Sequence, residues 1–178
     1  MKGFESSFPL WRIRTVVLPM CWRRSRGRLE PMIRGGCLCG GVRFEIAQAV
    51  GPFELCHCSR CRKASGSAFV PWLGVLREDF RLLQGEELIQ RYEAPLRDKP
   101  PPYRASFCGR CGSPVPDPKW EGPWIEVHAG VLDGDPCRRP ERHILVEAKS
   151  PWFTISDALP QMDRAAIDAF RNGMSSPQ

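Results

Sequence analysis

The sequence predicts a mainly β domain of short strands, held together by bound zinc, with one helix near the C-terminus. Three observations support this prediction. Seven of the nine cysteines lie in three tight clusters, several short segments alternate apolar and polar residues, and the 18 prolines and 16 glycines exceed ordinary usage. A chain of 178 residues is long enough for one domain with a hydrophobic core.

Short apolar or alternating segments follow one another along the chain. They predict strands over 42–46, 53–57, 68–75, 80–83, 88–92, 103–107, 124–129 and 142–146. A hairpin is expected where Gly85 separates the fourth and fifth of these strands. One helical turn is expected over 59–64, and a longer helix is expected over 160–172, before Gly173.

The cysteine spacings are typical of metal ligands. Seven thiolates divide naturally into a closed site of four and a site of three, in which tetrahedral zinc keeps one position for water or substrate. Joining the first and third clusters would give a structural zinc bound by Cys37, Cys39, Cys108 and Cys111. The middle cluster would bind a second, catalytic zinc through Cys56, Cys58 and Cys61.

Backbone geometry decides which side chains of a cluster can face one ion. In an extended segment, residues i and i+2 point to the same side, so both Cys56 and Cys58 can face the second ion. The same argument applies to the pair of cysteines in the first cluster, and His57 would point away. The alternative is a second site closed by Cys21, Cys137 or a histidine, which would make that metal structural too.

Several other polar or aromatic residues are weaker candidates. Ser59, Arg60 and Lys63 surround the middle cluster and could bind an anionic substrate, although a solvated loop that balances thiolate charge is equally consistent with them. Trp152 could line a pocket, but a tryptophan after proline is more commonly placed in a core or at an edge. The histidines at 128 and 143 lie in strand-like segments and are more often structural than ligands.

The charge is concentrated before residue 32. The chain has a net charge of +6, and residues 1–31 account for most of it with seven basic and two acidic side chains. The remaining chain is therefore nearly neutral and does not suggest a nucleic-acid surface. We expect a basic, disordered extension over 1–31, either an upstream extension before a start at Met32 or a transit peptide. A zinc-binding β domain over 32–163 and a C-terminal helix and tail over 164–178 would follow.

The cysteines also suggest a compartment. Their number is odd, their spacings suit chelation and no signal peptide precedes them, which favours reduced thiols in the cytoplasm over a disulfide framework. No stretch approaches the about 18 apolar residues that a membrane helix requires.

Four motifs in order carry a resemblance to a known family. They are Gly35–Phe44, Cys56–Gly66, Phe107–Pro114, and the pair His143–Val146 with Lys149–Trp152. Together they resemble the glutathione-dependent formaldehyde-activating enzyme family, which is also called the centromere protein V domain family. The resemblance covers about residues 35–163 and does not extend to the first 31 residues.

The resemblance implies a tent-like, mainly β zinc fold with both metal sites as assigned above. It implies a carbon–sulfur lyase whose named reaction condenses glutathione with formaldehyde to S-(hydroxymethyl)glutathione. The partners would then be a small thiol and a small aldehyde, with cations near Cys61 holding the carboxylates of the tripeptide. The alternative is a binding module, in which both zinc ions are structural and the domain presents a surface to a partner.

Overall fold

The computed structural model describes residues 22–25, 28–97 and 102–174. It is mainly β with one long helix at the C-terminal end, as the sequence predicts. Its strands are β1 (Trp22–Ser25), β2 (Arg28–Pro31), β3 (Ile33–Gly36), β4 (Arg43–Ile46), β5 (Phe53–Cys56), β6 (Val70–Leu76), β7 (Phe80–Gln84), β8 (Ile89–Glu93), β9 (Arg104–Cys108), β10 (Trp124–His128), β11 (Arg142–Ile144) and β12 (Gln161–Met162). Its helices are α1 (Ser59–Ser65) and α2 (Arg164–Met174). Short 3-10 turns lie at Arg77–Asp79, Glu86–Leu88, Ala129–Val131 and Val146–Ala148.

A five-stranded sheet forms the centre of the fold, with strand order β10-β6-β5-β11-β12. β6 is antiparallel to both of its neighbours, β10 and β5, whereas β5, β11 and β12 run parallel. Cys56, the last residue of β5, pairs with Val70 on one side and with Ile144 on the other. This register places the start of the middle cysteine cluster inside the sheet, where its backbone is held by both neighbours.

The main hydrophobic core lies between this sheet and a three-stranded antiparallel sheet of order β3-β4-β7. Alternate residues of the strands point into it, because successive side chains of a strand face opposite sides. Phe44 and Phe80 stack with ring centroids 5.5 Å apart. The buried members are Ile33, Phe44, Ile46, Ala49, Phe53, Leu73, Val75, Phe80, Ile125 and Val127.

The hairpin predicted between the strands at 80–83 and 88–92 is wrong. Both strands exist, but β7 pairs with β4, and β8 pairs with β9 in a separate two-stranded sheet. Gly85, with φ of +83°, begins a 3-10 turn that turns the chain out of one sheet and into the other. The pairing of β8 with β9 sets Ile89 opposite Cys108, so it positions the third cysteine cluster.

Two segments before Met32 form an antiparallel pair, β1 with β2. The sequence did not predict this pair, because residues 1–31 show no strand period. The disorder expected for the rest of residues 1–31 concerns positions outside the described residues, and Cys21 is one of these positions.

The two helices begin at side chains that accept backbone N–H groups. Cys58 precedes α1, and Gly66 ends it in the left-handed conformation, with φ of +67°. Asp163 accepts the N–H of Ala166 at 2.8 Å at the start of α2. That helix starts four residues later than predicted because β12 pairs with β11 first. Neither helix, within the part of the chain that is described, has the length and apolar character to cross a membrane.

Candidate metal centres

Four cysteine side chains from two distant parts of the chain lie together. The Sγ atoms of Cys37, Cys39, Cys108 and Cys111 are all within 4.8 Å of one another. The Sγ atoms of Cys37 and Cys39 are 3.4 Å apart, and those of Cys39 and Cys108 are 3.8 Å apart. In a tetrahedral site with Zn–S bonds of about 2.3 Å, sulfur atoms lie about 3.8 Å apart. The donor atoms and their spacing therefore suit a four-thiolate zinc site.

Each half of this four-cysteine group is a tight turn. Gly40 donates its N–H to the carbonyl of Cys37 at 2.9 Å, and Gly112 donates to Cys108 at 2.8 Å. Both glycines have positive φ, +71° and +74°, which residues with a side chain rarely adopt. The extended geometry expected for the first cluster is therefore wrong, because the turn at Gly40 is what brings the two sulfur atoms together.

The four-cysteine group is continuous with a small hydrophobic cluster. Cys37 and Cys108 are buried against Val42, Ile89 and Val115. Val42 also donates its N–H to the Sγ of Cys37 at 3.2 Å. A metal bound here would join the β3–β4 connection to the end of β9, which are about seventy residues apart in sequence. Metal binding at this group is therefore expected to be coupled to folding.

The other three cysteines meet where β5 ends and α1 begins. The Sγ atoms of Cys56, Cys58 and Cys61 lie within 4.8 Å of one another, and the Cys61 N–H donates to the Sγ of Cys58 at 3.3 Å. Hydrogen bonds among the thiols lower the pKa of Cys58 and raise the pKa of Cys56. The three thiols are therefore close enough to influence one another's ionisation.

The described residues supply no fourth cysteine, histidine or carboxylate to the three-cysteine group. Cys137 is exposed and belongs to neither group. His57 is fully buried, and its Nε2 forms a 2.8 Å hydrogen bond with the Nδ1 of His143. The Nε2 of His143 in turn lies 3.1 Å from the carboxylate of Asp157. Both histidines are thus committed to a buried hydrogen-bonded chain, and burial lowers the pKa of His57 to about 4.

Residues of the last sequence motif hold α1 in place. Arg62 donates to the hydroxyl of Ser150 at 2.6 Å and to the carbonyl of His57 at 3.3 Å. Lys149 donates to the carbonyl of Phe153. Ser150 is buried. The contacts of Arg62 tie the loop of the three-cysteine group to the segment after β11, and the Lys149 contact braces that segment internally, so this motif supports the site.

A cavity of about 530 Å³ opens on the three-cysteine group. All three cysteines line it, and its volume is within the size range of small-molecule sites. Its aromatic lining residues are Trp72, Tyr103, Phe107, Trp120, Trp124 and His128. Its charged lining residues are Glu54, Arg60, Arg104, Asp117, Glu121, Glu126, Arg164 and Arg171.

The floor of the cavity is the face of the five-stranded sheet that turns away from the main core. Alternation places Glu54 and Cys56 of β5 on this face, while Phe53 and Leu55 face the other way. Trp72 pairs with Glu54 across β5 and β6, and His128 pairs with Trp72 across β6 and β10. Cysteine, tryptophan and histidine side chains are therefore neighbours on one surface.

Two carboxylates of the floor have different surroundings. Glu54 is buried and forms ion pairs with Arg171 at 3.0 Å and with Arg142 at 3.9 Å. Glu126 reaches into the cavity without a hydrogen bond or ion pair to any described residue, although Arg171 lies near enough to affect its charge. Protein atoms packed around Glu126 raise its pKa, although the residue itself is exposed to solvent.

The predicted substrate residues divide into two sets. Arg60 lines the cavity and donates to the carbonyl of Pro95 at 3.0 Å. Ser59, Lys63 and Trp152 do not line it, and Trp152 is 72% exposed. Their place in a substrate site stays a prediction that this cavity does not support.

Sequence reasoning missed most of the cavity wall. Tyr103, Trp72 and Arg104 lie outside the cysteine motifs in sequence, and only the sheet register brings them close. The β10 residues had a usable signal, because alternation with the buried Ile125 and Val127 sets Glu126 and His128 on one face. Burial raises the pKa of Tyr103 and lowers that of His128 to about 4, so both side chains are neutral near pH 7.

Comparison with known proteins identifies the family of this chain. The profile of the family "Glutathione-dependent formaldehyde-activating enzyme" matches residues 32–148. A Halomonas elongata protein, to which the same activity is provisionally assigned by name, is 34% identical over 128 residues, which are 70% of this chain and 81% of that protein. A crystal structure of a Rhodobacter sphaeroides protein is similar over 57% of this chain and 89% of that chain, with 23% identity and a TM-score of 0.42. The chain belongs to the glutathione-dependent formaldehyde-activating enzyme family.

Proposed function

We propose that this protein is a zinc-dependent enzyme of the carbon–sulfur lyase type, which adds a glutathione-like thiol to a small aldehyde such as formaldehyde. The observation that carries the proposal is a group of three cysteines facing a cavity, with no fourth protein ligand among the described residues. Reduced thiols of this kind fit a cytoplasmic location.

The donor atoms present fit zinc at both groups. Cys37, Cys39, Cys108 and Cys111 would complete a closed structural site, and Cys56, Cys58 and Cys61 would hold a second ion with one position left for a ligand. When bound there, zinc supplies a Lewis acid that favours the ionised form of a thiol and polarises a carbonyl oxygen.

The cavity lining offers charges of both signs, which the proposed thiol also carries. Glutathione carries two carboxylates and one ammonium group. Guanidinium groups of Arg60, Arg104, Arg164 and Arg171 line the cavity and can bind carboxylates. Glu126 offers a carboxylate to the ammonium group.

The addition itself balances without any further reactant. The S–H bond of the thiol is lost, a C–S bond forms at the carbonyl carbon, and the carbonyl oxygen gains a proton. Tyr103 lines the same cavity as the three cysteines, and its hydroxyl stays protonated near pH 7 because burial raises its pKa further above the ordinary value of about 10. It can donate a hydrogen bond to the oxygen as negative charge develops there.

Glutathione and formaldehyde also combine without an enzyme, so the test must measure acceleration. Exchange NMR spectroscopy follows glutathione and S-(hydroxymethyl)glutathione at equilibrium, and zinc-loaded protein is expected to raise the exchange rate above the spontaneous rate. Cys58→Ala should abolish the acceleration, whereas Cys137→Ser, outside both groups, should keep it. A fully zinc-loaded wild type that leaves the exchange rate unchanged would exclude this function and favour the binding-module alternative.

A further inference from the structure

The indole of Trp72 contacts the three-cysteine group from the floor of the cavity. Its Nε1–H donates to the Sγ of Cys61 at 3.4 Å. The ring of His128 meets the indole edge-on, with ring centroids 4.3 Å apart and an interplanar angle of 79°. The side chain is thus held between a sulfur atom and an aromatic ring.

The backbone of Trp72 is held equally firmly. It lies in β6, which pairs with β5 on one side and β10 on the other, so both edges of its strand are hydrogen-bonded. The next residue, Leu73, is fully buried in the main core. The indole N–H therefore has a defined direction toward Cys61, which a side chain on a surface loop would not have.

The three sulfur atoms of the group differ in the hydrogen bonds they accept. Cys61 accepts one from the indole of Trp72 at 3.4 Å and also interacts with the hydroxyl of Tyr103. Cys58 accepts one from the backbone of Cys61. Among the described residues, Cys56 accepts none from outside the group. The indole donor on Cys61 comes from another strand and is separable from the loop that builds the group.

A hydrogen bond to a thiolate withdraws negative charge from the sulfur and weakens it as an electron donor to a metal. Weaker donation leaves more positive charge on the metal and so a stronger Lewis acid. We propose that Trp72 is a positioning residue that, through its N–H bond to Cys61, sets the electron-donating strength of the three-cysteine centre. This inference rests on the proposed metal assignment.

The inference also gives the pairing of Trp72 with His128 a role. A neutral imidazole packed on the indole keeps the ring in the plane that aims Nε1 at Cys61, without adding a positive charge beside the centre. Replacing the N–H while keeping the ring should therefore alter the metal centre and leave the fold unchanged.

The test uses full-length protein loaded with cobalt(II), whose thiolate-to-cobalt charge-transfer bands report the electron density on sulfur. Trp72 is replaced by 3-benzothienylalanine, which keeps the shape and removes the N–H, and in a second variant by phenylalanine. Subtracting the spectrum of Cys56→Ala/Cys58→Ala isolates the bands of the three-cysteine centre. Trp152→Phe, an exposed tryptophan outside the cavity, is the matched control.

We expect both Trp72 variants to bind the same amount of cobalt as wild type and to shift the isolated bands to longer wavelength, while Trp152→Phe leaves them in place. When loaded with zinc, the two Trp72 variants should have a kcat/KM about 10-fold below that of wild type, with the loss in kcat and KM nearly unchanged. Unshifted bands in the benzothienylalanine variant with cobalt bound would overturn this inference alone. A wild type that binds no cobalt at the three cysteines would overturn the metal assignment and the inference together.

Discussion

The four-cysteine group lies nearer the surface than the three-cysteine group, yet the three-cysteine group is the one beside a cavity. Each group has two buried cysteines, but the four-cysteine group adds the exposed Cys39 and the half-buried Cys111, whereas the three-cysteine group adds only the half-buried Cys58. Exposure of the cysteines therefore does not distinguish a structural site from a working one. The number of protein ligands and the space beside them do, because four thiolates complete a tetrahedron and three leave a position.

The two groups also differ in what surrounds them. Cys37 and Cys108 pack against aliphatic side chains, so the four-cysteine group continues a hydrophobic cluster. The three-cysteine group faces a cavity lined by aromatic and charged side chains. Loss of the first group should damage the fold, and loss of the second should damage the reaction.

The largest expected effect separates folding from activity. Structural zinc sites contribute on the order of 10 kcal/mol to folding, so Cys108→Ala should leave the chain largely unfolded. Cys58→Ala, at a half-buried position, should stay folded and lose all acceleration of the thiol–aldehyde exchange. Circular dichroism, thermal unfolding and zinc content check both variants. The comparison fails if Cys58→Ala unfolds as completely as Cys108→Ala.

The next effect concerns the oxygen of the aldehyde. Removing a hydrogen-bond donor that contacts a developing oxyanion costs about 100-fold in kcat, so Tyr103→Phe should lower kcat by that factor with KM nearly unchanged. Tyr92→Phe, at a residue 55% exposed and outside the cavity wall, is the matched control. Equal kcat values for the two variants would remove Tyr103 from the reaction.

A smaller effect is expected at the cations of the wall. Arg104 pairs with Glu93 at 2.8 Å and lies 4.7 Å from the centroid of the Trp120 ring, so its guanidinium is already oriented. Arg104→Met should raise KM for glutathione about 10-fold, since a charge-assisted hydrogen bond contributes about 1.5 kcal/mol. For β-mercaptoethanol, a thiol without a carboxylate, KM should stay the same. Similar increases for both thiols would indicate general damage to the site.

The smallest effect is on stability and depends on pH. Protein atoms packed around Glu126 raise its folded-state pKa although the residue is exposed, so ionisation of this side chain opposes folding only weakly. Glu126→Gln should therefore raise Tm near pH 8, and the gain should shrink as the pH falls toward about 4.3, the ordinary pKa of glutamate. Glu87→Gln, exposed on the 3-10 turn at 86–88, is the control. A gain that is independent of pH would show that desolvation of Glu126 is not the cause.

Local spacing was enough to predict two groups of cysteines that could hold metal ions. Seven cysteines lie in two pairs and one triplet, with glycines at the turns. Cysteines of one cluster can share an ion because the short backbone between them keeps their side chains close together. The strand positions and the mainly β class also followed from alternation along 42–146. The turn at Gly40 shows the limit of that reasoning, since the proximity of Cys37 and Cys39 was predicted from the wrong backbone geometry.

Only the tertiary structure decided how the clusters combine with the rest of the chain. The pairing of β8 with β9 instead of β7, the cavity wall and the contact of Trp72 with Cys61 all depend on sheet register between distant segments. The sequence left Cys137 and the histidines open as fourth ligands. The structure uses His57 and His143 in a buried hydrogen-bonded chain and exposes Cys137. Long-range packing makes these choices, because each strand fits several partners locally and only the assembled core favours one.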